Sequence, residues 1–149
     1  MAIDTSKQGM SWPATEFVVE ASRIAEYARV CGFDSSIHRS SAAAQAAGYR
    51  EVVAPPMFCV VYAGAAMWPV LTDPELGMDF DNMVHGGQEF EWGEPVCAGD
   101  TITTEVTCTS ITERRGMGMY EFVSVSKNQF GDEVVRGTWS NIVRPAEES

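Results

Sequence analysis

The run Pro55-Pro56-Met57-Phe58-Cys59-Val60-Val61-Tyr62-Ala63-Gly64-Ala65-Ala66-Met67-Trp68-Pro69-Val70 decides the fold, because it is a helix-length segment without a charged side chain. Neither proline continues a helix, yet proline is accommodated in a first turn, where its missing N–H forfeits no intrahelical bond. Met57 to Val70 therefore reads as a helix opened by the proline pair. A surface helix carries a polar stripe; here Phe58, Val60, Val61, Ala65 and Trp68 are spread around the circumference, so the helix is expected to be wrapped by other structure. Gly64 and Pro69 interrupt the segment, which falls short of the roughly 20 apolar residues of a membrane span.

The wrapping follows downstream. Asn82 to Trp92, Thr101 to Glu113, Gly116 to Gln129 and Glu133 to Val143 alternate with period two and are rich in β-branched and aromatic residues. Turn residues separate them at Gly93-Glu94-Pro95, Ala98-Gly99-Asp100, Arg115-Gly116 and Gly131-Asp132. Upstream, Phe17 and Val19 suggest a short first strand from Thr15. Glu20 to Val30 places Ile24, Tyr27, Ala28 and Cys31 at helical spacing before Gly32. Ser40 to Ala47 reads as a second short helix stopped by Gly48. Helices early and an antiparallel meander late define an α+β domain over residues 15–144. Residues 1–14 read as a loosely draped arm anchored at Trp12-Pro13, and residues 145–149 as a frayed acidic tail.

A chain of 149 residues is long enough for one domain that buries roughly two-thirds of its unfolded surface without disulfides. Its four cysteines, Cys31, Cys59, Cys97 and Cys108, form no CxxC pair and read as reduced thiols of a cytoplasmic protein. The N-terminus has neither the basic nor the apolar region of a secretory signal. No clustered His/Cys set or phosphate-cradling glycine loop implies a metal or a redox cofactor. A formal charge of −11 argues against a nucleic-acid partner.

Chemistry is concentrated ahead of the apolar helix. Asp34 and His38 lie in a Gly/Ser-flanked turn between two helical patterns, where both side chains are free to converge on one reacting carbon. The structural alternative is that Asp34 or Ser35 caps the next helix while His38 is polar surface. His85, the other histidine, begins a strand expected to be central, where a hydrogen-bonded structural role is the ordinary expectation. Glu89 and Glu91 alternate with Phe90 and Trp92 and are expected to face solvent or a subunit neighbour.

Gly32, Ile37-His38, Ala44 to Tyr49, Val53 to Phe58, Val84 to Trp92 and Val96 to Asp100 together resemble the MaoC-like hot-dog dehydratases. The segments Ala54-Pro55-Pro56-Met57-Phe58 and Gln88-Glu89-Phe90-Glu91 are most similar to the FAS1-like dehydratase subgroup. That subgroup includes a subunit of heterodimeric (3R)-hydroxyacyl-ACP dehydratases. The resemblance implies a single hot-dog fold, a long apolar helix wrapped by a curved antiparallel sheet. It also implies a (3R)-specific hydro-lyase acting on acyl-CoA or acyl-ACP thioesters, without a cofactor beyond the substrate's own pantetheine. The active unit would be a homodimer or a heterodimer with another MaoC-like subunit.

Active members carry Gly-Asp-x-Asn-Pro-Ile-His, whose aspartate and histidine flank a water and the substrate's reacting carbons. By that resemblance His38 is the general acid/base, while Phe33 occupies the aspartate position and Asp34 is displaced by one residue. Family members also place His-Gly before the apolar helix, and Pro55 and Pro56 stand there instead. Neither has an N–H to offer a thioester oxygen, which leaves Met57 with the first free amide. Met57, Phe58, Tyr62, His85 and Gly86 are the substrate-binding candidates. Two readings follow: a catalytic hydratase subunit, or a non-catalytic acyl-binding subunit that stabilises a separate catalytic partner.

Overall fold

The computed structural model describes residues 3–145. Five strands form one antiparallel sheet in the order β1-β3-β4-β5-β2, with β1 at Ser11–Val18, β2 at Met83–Trp92, β3 at Thr101–Arg114, β4 at Met117–Lys127 and β5 at Glu133–Val143. Helix α1 spans Ala21–Cys31, α2 spans Ser41–Ala46 and α3 spans Cys59–Leu71. This is the α+β hot-dog architecture, with α3 lying against the sheet.

The apolar helix begins as expected from its prolines. Pro56 to Phe58 form a 3-10 turn that passes directly into α3. At the other end the Thr72 hydroxyl and N–H both donate to the Trp68 carbonyl, at 2.9 and 3.2 Å. The curved sheet wraps the helix along one side and leaves the other open. Cys59, Tyr62, Ala63, Ala66, Met67 and Val70 are buried, whereas Val60, Ala65 and Trp68 are exposed. One sheet covers one side of the helix, and among the described residues no second layer covers the other.

Two side-chain clusters make the core. Around the first half of α3 gather Phe58 and Tyr62, with Val19, Ile24, Ile102, Val134 and Val135. Around its second half gather Met67 and Val70, with Val106, Ile111, Tyr120, Phe122 and Val143. Trp139 packs against both clusters, and its indole N–H donates to the Ser124 hydroxyl at 2.8 Å. The alternation of β3 explains its inward face: Ile102, Thr104, Val106 and Cys108 are all buried.

The sequence expected an arm up to residue 14, and the structure puts a strand there. β1 pairs with β3 from Ser11 opposite Thr107 to Val18 opposite Thr101, with its register broken between Trp12 and Thr15. Pro13 has no N–H for a ladder, so an edge position and an irregularity are what it permits. Trp12 anchors the strand by packing edge-on to Phe122 and donating its indole N–H to Asp73 at 2.7 Å. Residues 146–149, most of the expected acidic tail, lie outside the described residues.

Asp100 ties the loops together. It is fully buried, and Arg50 donates to both of its carboxylate oxygens at 3.0 and 2.9 Å. The Cys97 N–H and the Gln129 amide complete the set, each at 2.9 Å. Burial pushes this carboxyl up, but the bonds from Arg50, Cys97 and Gln129 outweigh it and hold its pKa below the ordinary value. Its contribution to stability is therefore complete above about pH 4 and is lost as pH falls through the lowered folded value. Breaking a buried ion pair costs roughly 3–5 kcal/mol; Arg50 is half-exposed and two other donors remain, so Arg50→Ala is expected to cost about 2 kcal/mol in urea unfolding. In Asp100→Asn the acid-dependent part of the stability should shrink.

Candidate functional site

Val52 to Ala54 form a short extended segment held from both sides. Its Val53 bridges to Cys97, the Ala54 N–H donates to Val96 O and the Ala98 N–H to Val52 O, both at 2.8 Å. On the other side the Val53 N–H donates to Ile37 O at 3.1 Å. His38, in the 3-10 turn Ser36–His38, is thereby brought against this segment, with Nδ1 at 2.6 Å from Val53 O. A carbonyl only accepts, so Nδ1 carries a proton and donates, and Nε2 is the ring nitrogen left for other partners. Among the described residues Nε2 has no hydrogen-bond partner.

His38 is buried in the wall of a cavity of about 350 Å³ that runs between this turn and the start of α3. Ile37, Val53, Pro55, Pro56, Phe58, Cys59, Tyr62 and Val96 line it, so its walls are predominantly apolar. The two ionisable side chains deepest on α3 stay neutral at physiological pH. Burial pushes the Cys59 thiol up to about 11, and burial together with the neighbouring Cys59 pushes the Tyr62 phenol up further.

The sequence-derived residues divide. His38, Phe58 and Tyr62 line the cavity. Asp34 does not: its side chain is exposed, and its backbone carbonyl accepts from Arg39 at 2.7 Å. The place beside His38 is taken by Phe33, whose ring meets the imidazole edge-on at 5.9 Å between centroids. Met57 also lies outside the lining and is 41 % exposed, because the 3-10 turn directs Phe58 inward instead. His85 and Gly86 are outside it as well. Strand β2 is the edge of the sheet, not its centre, and His85 packs against Trp139 with Nδ1 at 3.4 Å from Asn141 Oδ1.

Residues missed from the sequence close the mouth. The Trp92 indole N–H donates to Pro56 O at 2.9 Å, and Tyr49 and Glu94 stand beside it. Glu94 is the one carboxylate of the lining, and it is exposed at the rim. The tight approach behind it requires glycine at 93, where a Cβ would run into the Glu133 carbonyl oxygen. The turn residues Gly93-Glu94-Pro95 were the available signal, since nothing in an isolated sequence shows that this turn folds over α3.

A five-stranded sheet laid on an apolar helix, with a histidine-bearing turn over the helix start, defines a MaoC-like hot-dog protein. A family model for the FAS1-like dehydratase domain region matches residues 6–136, and the chain belongs to that family. It is 35% identical over 149 residues to a UPF0336 protein of Streptomyces avermitilis, covering 99% of each chain. Among solved structures it is similar to a C-terminally truncated HadBC (3R-hydroxyacyl-ACP dehydratase) complex from Mycobacterium tuberculosis. That match has 26% identity and a TM-score of 0.79 over 91% of this chain and 96% of the other. The R-hydratase PhaJ1 of Pseudomonas aeruginosa, at 21% identity and a TM-score of 0.73 over 94% and 83% of the chains, shares the fold.

The bond from Nδ1 to Val53 O makes His38 part of the wall as well as part of the site. His38→Ala is expected to cost roughly 1–2 kcal/mol, the range for a lost buried hydrogen bond. His38→Asn, whose amide can replace the donor, should recover most of that in the same urea titration.

Proposed function

We propose that this chain is the acyl-chain-binding subunit of a (3R)-hydroxyacyl-thioester dehydratase, paired with a second hot-dog subunit that supplies the catalytic carboxylate. The observation that carries this reading is the apolar cavity of about 350 Å³ beside His38, with Phe33 where the family motif has aspartate. Hydration of a 2-enoyl thioester requires one group to handle water and one to exchange the α-proton, together with donors for the developing enolate oxygen. Asp34 is exposed and outside the cavity lining, and Pro55 and Pro56 carry no N–H at the start of α3. What remains is shape and apolar surface, which suit the hydrocarbon part of an acyl-CoA or acyl-ACP. Each buried methylene is worth about 0.8 kcal/mol there. The likeness to a chain of the HadBC complex supports a two-subunit arrangement.

One feature favours a second reading, a self-sufficient hydratase: the unpartnered Nε2 of a buried cavity histidine. Enoyl-thioester absorbance with crotonyl-CoA and a longer 2-enoyl-CoA separates the two. The purified chain alone should turn over on the order of 10²–10⁴ below a catalytic pair, the usual contribution of a general acid/base group. Activity should appear when a neighbouring MaoC-like subunit is co-expressed. Full turnover by the chain alone, abolished in His38→Ala, would replace the first reading with the second.

The acyl-binding role has its own test. Ile37 is half-buried on the cavity wall, so Ile37→Trp should fill part of the space while leaving the unfolding midpoint nearly unchanged. Excluding two methylenes would weaken binding of a long acyl-CoA about tenfold, measured by calorimetry.

A further inference from the structure

We propose that the cavity selects acyl chains carrying a second oxygen, a hydroxyl or keto group well beyond the thioester, and that the Tyr62 hydroxyl is the group that recognises it. This rests on the acyl-binding reading above and adds to it the class of substrate.

Tyr62 is on the buried face of α3 and only 3 % exposed, with its ring edge-on to Phe58 at 6.2 Å and tilted against Phe17 at 6.3 Å. Phenylalanine would make the same ring contacts, so packing gives no reason for a hydroxyl. Three hydroxyls buried in the sheet show the ordinary arrangement: Ser124 accepts from Trp139, and Thr104 and Ser126 bond each other, both pairs at 2.8 Å. The Tyr62 hydroxyl has no such partner among the described residues. It is not sealed in either, because Asn141 Nδ2 is the only described buried side-chain nitrogen or oxygen that lacks both a partner and access to open space. The space that Tyr62 lines is the cavity of about 350 Å³.

Two open polar atoms thus face one apolar cavity at different depths. His38 Nε2 is carried by the turn over the start of α3, on a residue that is 7 % exposed. Tyr62 follows Phe58 by four residues, about 6 Å farther along the helix axis. A chain that enters past Trp92 and Glu94 with its thioester near His38 brings later carbons to Tyr62. A plain hydrocarbon chain at that depth would displace solvent from the phenol and leave it buried without a partner, which is penalised. A hydroxyl or keto oxygen there restores the bond. Burial keeps the phenol protonated, so it can donate to either kind of oxygen and accept from a hydroxyl. Such a group discriminates better than an apolar wall, since a ligand without the oxygen leaves the protein's own polar atom unpaired.

Calorimetry on the full chain and on Tyr62→Phe tests this with octanoyl-CoA and with analogues bearing one hydroxyl or one keto group at the fifth, sixth or seventh carbon. Wild type should bind at least one oxygenated analogue about tenfold more tightly than octanoyl-CoA. Tyr62→Phe should lose that preference and bind octanoyl-CoA more tightly than wild type does. Its urea unfolding midpoint should stay level or rise, because the substitution removes no bond inside the protein. Wild-type binding of octanoyl-CoA as tight as that of every analogue would overturn the inference and leave the acyl-binding reading standing. A preference that survives in Tyr62→Phe would do the same, as would a lowered midpoint, which would assign the hydroxyl to the core. Wild type that binds none of these acyl-CoAs would sink both.

Discussion

A single buried carboxylate holds the loops of this protein in register. Asp100 takes hydrogen bonds from Arg50, from the Cys97 backbone and from Gln129, and its own carbonyl accepts the Val19 N–H at 2.8 Å. Four segments distant in sequence therefore meet at one residue: the end of β1, the loop after α2, the turn before β3 and the turn between β4 and β5. An unpaired carboxylate in that position would be strongly destabilising, so the segments are constrained to arrive together. The cavity inherits this constraint. Cys97 bridges Val53, Val53 receives the His38 imidazole, and Val96 and Tyr49 line the cavity. The position of a histidine over the helix start is thus set by a salt bridge that does not itself line the cavity.

The other organising fact is that α3 has two apolar sides and the sheet covers one. In a surface helix the uncovered side would be polar. Here it keeps Val60, Ala65 and Trp68, and it occurs together with an open edge strand in the same chain. Trp92 joins these features to the cavity. It ends β2, it lines the cavity mouth, and its indole N–H holds the Pro56 carbonyl at the entry to α3. A strand added to β2 would therefore sit next to the residue that closes the cavity mouth.

Much of the fold was legible because its determinants are local and periodic. The proline pair marks the start of the apolar helix, and β5 spans Glu133–Val143 as the alternation indicates. The first half of the first strand was hidden because Trp12-Pro13 weakens the strand pattern, and its stability comes from β3 and from the Trp12 bond to Asp73, which are non-local. The same division applies to the site. His38, Phe58 and Tyr62 are fixed by motif position and helical phase, and they converge. Asp34 fails because the turn after α1 places Phe33, not its neighbour, beside the imidazole. Glu94, Tyr49 and Trp92 come from a turn and a strand end whose approach to α3 depends on the closed sheet. Arg50 is committed to structure by its bonds to buried Asp100.

The polar groups around the cavity bear on whether it is built for reaction or for holding. A reacting centre keeps donors and acceptors aimed at the place where charge develops. Here the obvious ones are occupied by the protein itself: His38 Nδ1 by Val53, the Pro56 carbonyl by Trp92 and the Val53 N–H by Ile37. Pro55 and Pro56 withdraw two further donors while fixing the backbone that forms the wall. Nε2 of His38 remains available, the Tyr49 and Tyr62 hydroxyls also line the cavity, and the one carboxylate of the lining is Glu94 at the exposed rim. The bonds from Trp92, His38 and Val53 fix the backbone around an apolar pocket and hold its shape. That rigidity is an advantage for a binding subunit and of little use to an acid/base catalyst that lacks its second group.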